Sequence, residues 1–174
     1  MSRFQWSSLN NQQVGTYFEY FVKMEMTMYG FEVYTTEVDD RSIDFIARKN
    51  GAPFIEVQAK CLRNYGYVFM LKSHFKPKDG TYVALGLLFD GREPMSFLIP
   101  STVWLQPNGI YVDRDYSSPG LKSKPEWGIN VSQKNMRELE QYAMGTMLES
   151  IGQRTDANHS LNRTHCGMRL KALH

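Results

Sequence analysis

The sequence predicts an α/β domain in which one antiparallel or mixed sheet is covered by helices. Three observations predict it. A long helical pattern opens the chain, a series of strand-forming runs follows, and a second helical pattern closes it. Many of the runs alternate apolar and polar residues, the period of a half-buried strand. One run, Thr81 to Phe89, is apolar on both faces and reads as a central strand covered on both sides. The length of 174 residues suits one domain. An apolar content of 42%, with 10 Phe, 10 Tyr and 3 Trp, is enough for a real core.

Taken in order, Asn10 and Asn11 are capping residues for a helix from about Val14 to Tyr29. Its apolar stripe is Val14, Phe18, Phe21, Val22 and Met28, and Gly30 stands where a helix ends on a positive φ. A neighbouring stripe carries Glu19 among small and apolar groups. Strands are expected at 31–35, 42–48, 53–60, 68–71, 81–89 and 95–100. A polar turn at 37–41 separates the first two, and Asn50-Gly51 is a hairpin signal between the second and third. Ser101 to Trp104 reads as a short helical turn. The stretch 107–125, rich in Gly, Pro and Ser, reads mostly as loop. A last helix is expected from Ser132 or Gln133 to about Ser150, with Met136, Leu139, Ala143, Met147, Leu148 and Ile151 on its stripe and Gly152 at its end. Residues 153–174 read as a polar tail.

Composition excludes several classes. No apolar run reaches the roughly 18 residues of a membrane-crossing helix, and the first residues lack an apolar signal stretch. Cys61 and Cys166 form neither a close pair nor a zinc spacing, so free thiols and a cytoplasmic location are expected. His159, His165 and Cys166 in the tail do not complete a ligand set. A phosphate loop, a nucleophile elbow and a His-Glu-x-x-His helix are all missing. The net charge of +2 points to no anionic partner by itself. Its distribution is uneven: acids gather in the first third, and Lys60, Arg63, Lys72, His74, Lys76 and Lys78 follow. Acids beside a basic band suit a metal-dependent phosphodiester site, and equally a solvated surface.

One constellation carries chemistry. Period two places Glu56, Gln58 and Lys60 on one face of a strand whose other face is Ile55, Val57 and Ala59. Charges among apolar residues are costly unless paired or coordinated. Asp44 stands between Ile43 and Phe45 in the preceding strand, and the hairpin brings it toward the same polar face. Glu19 offers a third carboxylate, or else forms a helix-surface pair with Lys23. Magnesium, a hard ion taking oxygen ligands, accounts for the acids. Its ligands are expected from Asp44, the amide oxygen of Gln58 and the carbonyl of Ala59, with Glu56 or Glu19 at a second ion or at metal-bound water. Lys60 then positions or deprotonates the attacking water and offsets Asp44 and Glu56.

Asp44 followed by Glu56-Val57-Gln58-Ala59-Lys60 resembles the core of the PD-(D/E)XK nuclease superfamily, in the form with Gln two before Lys that is similar to Mrr-like and Holliday-junction-resolvase-like enzymes. The upstream pattern Gly15-Thr16-Tyr17-Phe18-Glu19, then Gly30-Phe31-Glu32-Val33, fits as well. The resemblance implies a single restriction-endonuclease-like domain over 1–152, a mixed central sheet flanked by helices, with the motif-bearing core at about 13–105. It implies a Mg2+-dependent DNA endonuclease, Mn2+ substituting, with Glu19, Asp44, Glu56, Gln58 and Lys60 as site residues. Arg63, Lys72, His74, Lys76 and Lys78 are expected at phosphates. Cutting both strands of a duplex calls for two sites, hence a homodimer, through the last helix or the strand near 95–99. Two departures stand out. Ser42-Ile43 occupies the place of the motif's proline, and the neutral Gln58 replaces a carboxylate. Gln58 keeps a second reading alive, a catalytically decayed nuclease fold acting as a DNA-binding or protein-interaction module.

Overall fold

A computed structural model describes residues 3–35, 42–116 and 123–153. The expected turn at 37–41 and the tail with His159, His165 and Cys166 lie outside the described residues, except that helix continues to 153.

Helix α1 (Asn11–Met28) starts where Asn10 and Gln13 cap one another. The Asn10 side chain accepts from the Gln13 N–H, and the Gln13 side chain accepts from the Asn10 N–H, each at 2.9 Å. It ends at Gly30, φ 81°, with the Phe31 N–H closing onto the Met26 carbonyl at 3.0 Å. Val14, Phe18, Val22 and Met26, spaced by four, are its buried row. Burial of such a side chain contributes about 1.5–3 kcal/mol.

The central sheet has the order β1-β2-β3-β5-β6. Strands β1 (Glu32–Thr35), β2 (Phe45–Arg48) and β3 (Ile55–Arg63) run as antiparallel neighbours. Asn50 and Gly51, at φ 52° and 72°, make the tight turn between β2 and β3 that their sequence announces. Strand β4 (Gly66–Leu71) leaves this sheet. The chain then returns as β5 (Thr81–Leu88), parallel to β3, and β6 (Met95–Pro100) pairs antiparallel with β5. β5 is the covered strand expected. Ala84 and Leu88 pack with α1, while Val83, Leu85 and Leu87 join a second core on the opposite face. The ring of Phe18 lies directly on Gly86, where a Cβ has no room.

The second core corrects the expectation of one sheet. Strands β7 (Tyr111–Arg114) and β8 (Glu126–Val131) join β4 in a separate antiparallel sheet, order β4-β8-β7. It covers the face of the central sheet opposite α1, through Val68, Met70, Tyr111, Ile129 and Val131. β7 lies in the stretch expected to be loop, and β8 follows directly after it. The last helix is also divided. A 3-10 turn (Gln133–Asn135) leads into α2 (Met136–Glu140), and α3 covers 144–153. Between them the Tyr142 carbonyl accepts from the Leu98 N–H at 2.8 Å, and Ala143 bridges Phe97. The chain leaves helical geometry there and touches the outer edge of β6 at Phe97 and Leu98. No helix among the described residues is long and apolar enough to cross a membrane.

The start of the chain forms a strap. The Phe4 carbonyl accepts from the Gly91 N–H, Ser7 N–H donates to Asp90 Oδ1, each at 2.9 Å, and the Trp6 indole donates to the Arg92 carbonyl at 3.0 Å.

Candidate active site

Asp44 lies immediately before β2. Its N–H donates to the Val57 carbonyl at 3.0 Å, and its Oδ2 accepts from the Ala59 N–H at 2.6 Å. The carboxylate thus takes the place of the next ladder carbonyl where β2 and β3 part. The register, Phe45 opposite Val57, sets Asp44 beside Gln58. Val57, Ala59 and Cys61 pack toward α1, and Leu62 packs into the second core. By alternation Glu56, Gln58 and Lys60 share the face turned toward the small sheet, as the sequence requires.

Gln58 is 3% exposed, and its Oε1 has no hydrogen-bond partner among the described residues. A buried acceptor left unpaired costs about 1–3 kcal/mol. Lys60, half-buried on the same face, forms no ion pair among the described residues. Glu56, which Lys60 was expected to offset, is held by another cation. Glu56 Oε1 instead takes the Lys78 ammonium at 2.8 Å, and its Oε2 accepts from the Thr81 hydroxyl at 2.9 Å. Lys78 is itself clamped. The buried Ser101 hydroxyl accepts from its N–H at 2.9 Å and donates to its carbonyl at 2.8 Å. Neither Thr81 nor Ser101 carries a signal in the sequence.

Glu19 sits on α1, beyond the opposite face, and its carboxylate binds Lys23 at 2.6 Å. Lys23 in turn lies 5.5 Å from the ring centroid of Phe45, the residue after Asp44. The basic band is largely spent within the fold. The Arg63 guanidinium donates to the Leu9 carbonyl at 2.7 Å, to the Trp6 carbonyl at 3.5 Å and to Asn11 Oδ1. Lys72 binds Asp113 and, at 2.6 Å, Asp115, with its ammonium 4.1 Å from the Trp127 ring centroid. Arg63 and Lys72 are thus held by partners within the chain. His74 and Lys76 are exposed on the segment that also carries Lys78.

A divalent cation fits the donors in one way. Among the described residues no three His, Cys, Asp or Glu side chains are grouped to hold a metal. What Asp44 and Gln58 bring together is one carboxylate and one amide oxygen with no partner, an all-oxygen set suited to a hard ion that keeps several waters. Burial pushes the Cys61 thiol, on the other face, up to about 11, which makes it a poor thiolate ligand.

The fold is a mixed α/β one, a central mixed sheet with α1 against one face and the small sheet against the other. The bacterial homing endonuclease I-Ssp6803I is similar to the chain at 14% identity and a TM-score of 0.52, over 87% of this chain and 98% of that one. The Holliday junction resolvase Hjc of Archaeoglobus fulgidus is similar at 15% identity and a TM-score of 0.42, over 67% and 83% of the two chains. The first likeness is one of fold. No family model and no curated protein matches the chain.

Proposed function

We propose that the chain is a metal-dependent DNA endonuclease of the PD-(D/E)XK kind, hydrolysing phosphodiester bonds. The observation that carries the reading is the unpaired, buried Oε1 of Gln58, set by register beside the Asp44 carboxylate, with Lys60 two residues on along the same face. The fold shared with a homing endonuclease supports it. Asp44, the Gln58 amide oxygen and the Ala59 carbonyl would hold Mg2+, with Mn2+ as a substitute. The ion supplies Lewis-acid polarisation of a phosphoryl oxygen. Lys60 would position the attacking water or, as the neutral amine, take its proton, and the resulting ammonium would offset charge on the phosphate. Asp44, fixed by the Ala59 N–H, holds its place in the site without a reorganisation step. His74, Lys76 and the exposed side of Lys78 serve the DNA backbone. Attack at phosphorus leaves a 5′-phosphate and a 3′-hydroxyl, and double-strand cutting calls for a homodimer with two such sites.

The test is supercoiled plasmid, then branched DNA, incubated with the protein in Mg2+ and in Mn2+, beside the Lys60→Ala and Asp44→Ala proteins. Nicking lost in both variants supports the reading. A second reading, a decayed site that binds DNA without cutting it, is favoured by Glu56, whose carboxylate Lys78 and Thr81 already hold. It predicts binding that survives loss of Lys60, and cleavage with neither ion on any of these DNAs.

A further inference from the structure

The outer face of the small sheet carries a cluster that the site above does not use. Val68 and Met70 of β4 point into the core, so Tyr67 and Phe69 point outward. Their rings stack at 6.4 Å between centroids and 23° between planes. The Arg114 guanidinium lies 4.5 Å from the Tyr67 ring centroid. Glu126, on the same outward row by register with Arg114, is only 6% exposed. Its Oε1 accepts from the Tyr67 hydroxyl at 2.7 Å and the Tyr116 hydroxyl at 3.0 Å, and lies 3.6 Å from Arg114. Position 128, between them, is glycine, and a Cβ there would overlap the Tyr67 ring.

A carboxylate buried on the solvent side of a sheet costs several kcal/mol unless its partners are well placed. Here the partners are the groups that form the stack. Glu126 fixes the tilt of the Tyr67 ring, Arg114 Nη1 donates to the Tyr116 hydroxyl at 3.3 Å, and Gly128 leaves room for the Tyr67 ring. Phe69, 47% exposed, continues that surface into solvent. The neighbouring acids do not share it. Asp113 and Asp115 are drawn to Lys72 at the other side of β7. Arg114 pairs with Glu126 yet keeps its side chain 44% exposed, so its guanidinium reaches the surface of this face. One exposed aromatic in polar surroundings is far short of the roughly 800 Å² a side that a stable protein interface needs. It matches the size of one or two stacked bases with their phosphates.

We infer that this Tyr67–Phe69–Arg114 face is a stacking platform for unpaired nucleobases of a single-stranded nucleic acid. The inference does not rest on the nuclease reading. β4 follows β3 after only Asn64 and Tyr65, so the platform is fixed relative to Lys60.

The test uses the full chain carrying Lys60→Ala, in EDTA, so that cleavage cannot intrude. Fluorescence anisotropy reads its binding to a labelled oligothymidylate of about ten nucleotides and to a duplex of equal length. Stacking on one aromatic is worth about 5–150-fold in affinity. Phe69→Leu keeps an apolar side chain but no π-face, and is expected to weaken oligothymidylate binding within that range with an unchanged melting temperature. Arg114→Lys keeps the charge and loses the plane, and is expected to weaken it in the same direction. The duplex is expected to respond less to both. Binding of the single strand that is equal in parent and Phe69→Leu overturns the proposal, as does no binding by the parent at all. Self-association of the parent that Phe69→Leu abolishes also overturns it, in favour of a second copy on this face. Loss of plasmid cleavage in the separate Lys60→Ala comparison bears only on the nuclease reading.

Discussion

Replacing Gln58 by Met makes two opposite demands on the structure. The Oε1 of Gln58 is buried without a partner, and in the absence of metal it costs the fold about 1–3 kcal/mol. Methionine is unbranched and close in size, and removes the acceptor while filling its volume. For a chain of this length each kcal/mol moves the melting temperature by about 2–4 °C. The variant is therefore expected to melt about 2–12 °C higher than the parent in EDTA. In Mg2+ or Mn2+ the order changes. An ion at a hundred times its dissociation constant stabilises the parent by about 2.7 kcal/mol, and the variant, with one oxygen fewer, gains less. Thermal melts followed by circular dichroism, in EDTA and across a titration of each ion, read both effects. A variant that melts lower than the parent in EDTA, or one that keeps the full metal-induced rise, would refute the reasoning. Neither measurement depends on finding the right DNA.

Three further predictions follow from the packing. Gly86→Ala drives a methyl into the Phe18 ring, and overpacking of this kind costs about 1–3 kcal/mol; urea unfolding is expected to show a lower midpoint with an unchanged slope. Arg63→Met removes the ties to Trp6, Leu9 and Asn11, and limited proteolysis is expected to cut within residues 3–10 faster than in the parent, with little change in DNA affinity. The Cys61 thiol, pushed up to about 11 from an ordinary 9.0 by burial, stays protonated at neutral pH. In a Cys166→Ser background its alkylation is expected to be slow at pH 8 and to accelerate only as pH nears 11. Because the folded value is the higher one, the stability it contributes is full below pH 9 and is lost as pH rises through about 11.

The elements that the sequence makes legible are those whose signals are local. Asn50-Gly51 specifies its turn by the positive φ both residues accept, Asn10 caps α1, and the two-sided apolar run of β5 could only be central. Asp44, Gln58 and Lys60 could be placed on one face because period two and a tight hairpin leave little freedom. The small sheet was hidden for the opposite reason. β8 contains Gly128, which reads as a strand breaker until Tyr67 is seen lying on it. The break at 141–143 has no cause in its own residues, since the Leu98 N–H is what calls the Tyr142 carbonyl out of the helix. The partners of the basic band were hidden because charge reports only its sign. Nothing near Arg63 or Lys72 in sequence shows that their partners are the carbonyls of Trp6 and Leu9, or Asp113 and Asp115. The alternating Tyr65, Tyr67 and Phe69 was the one available sign of an aromatic face, and beside Gly66 it reads as a turn.

The strap that joins Phe4, Trp6 and Ser7 to residues 90–92 sets a timetable for the nascent chain. Ser7 and Asp90 are 83 residues apart. At about 5–20 residues per second, the ribosome needs roughly 4–17 seconds to deliver the second after the first. For most of that interval α1 has its cap but not β5, whose Gly86 receives the Phe18 ring and whose Ala84 and Leu88 complete its core. The residues of the strap are thus made long before they are fastened, and the strand bearing Lys60 emerges before the β5 strand it must lie beside.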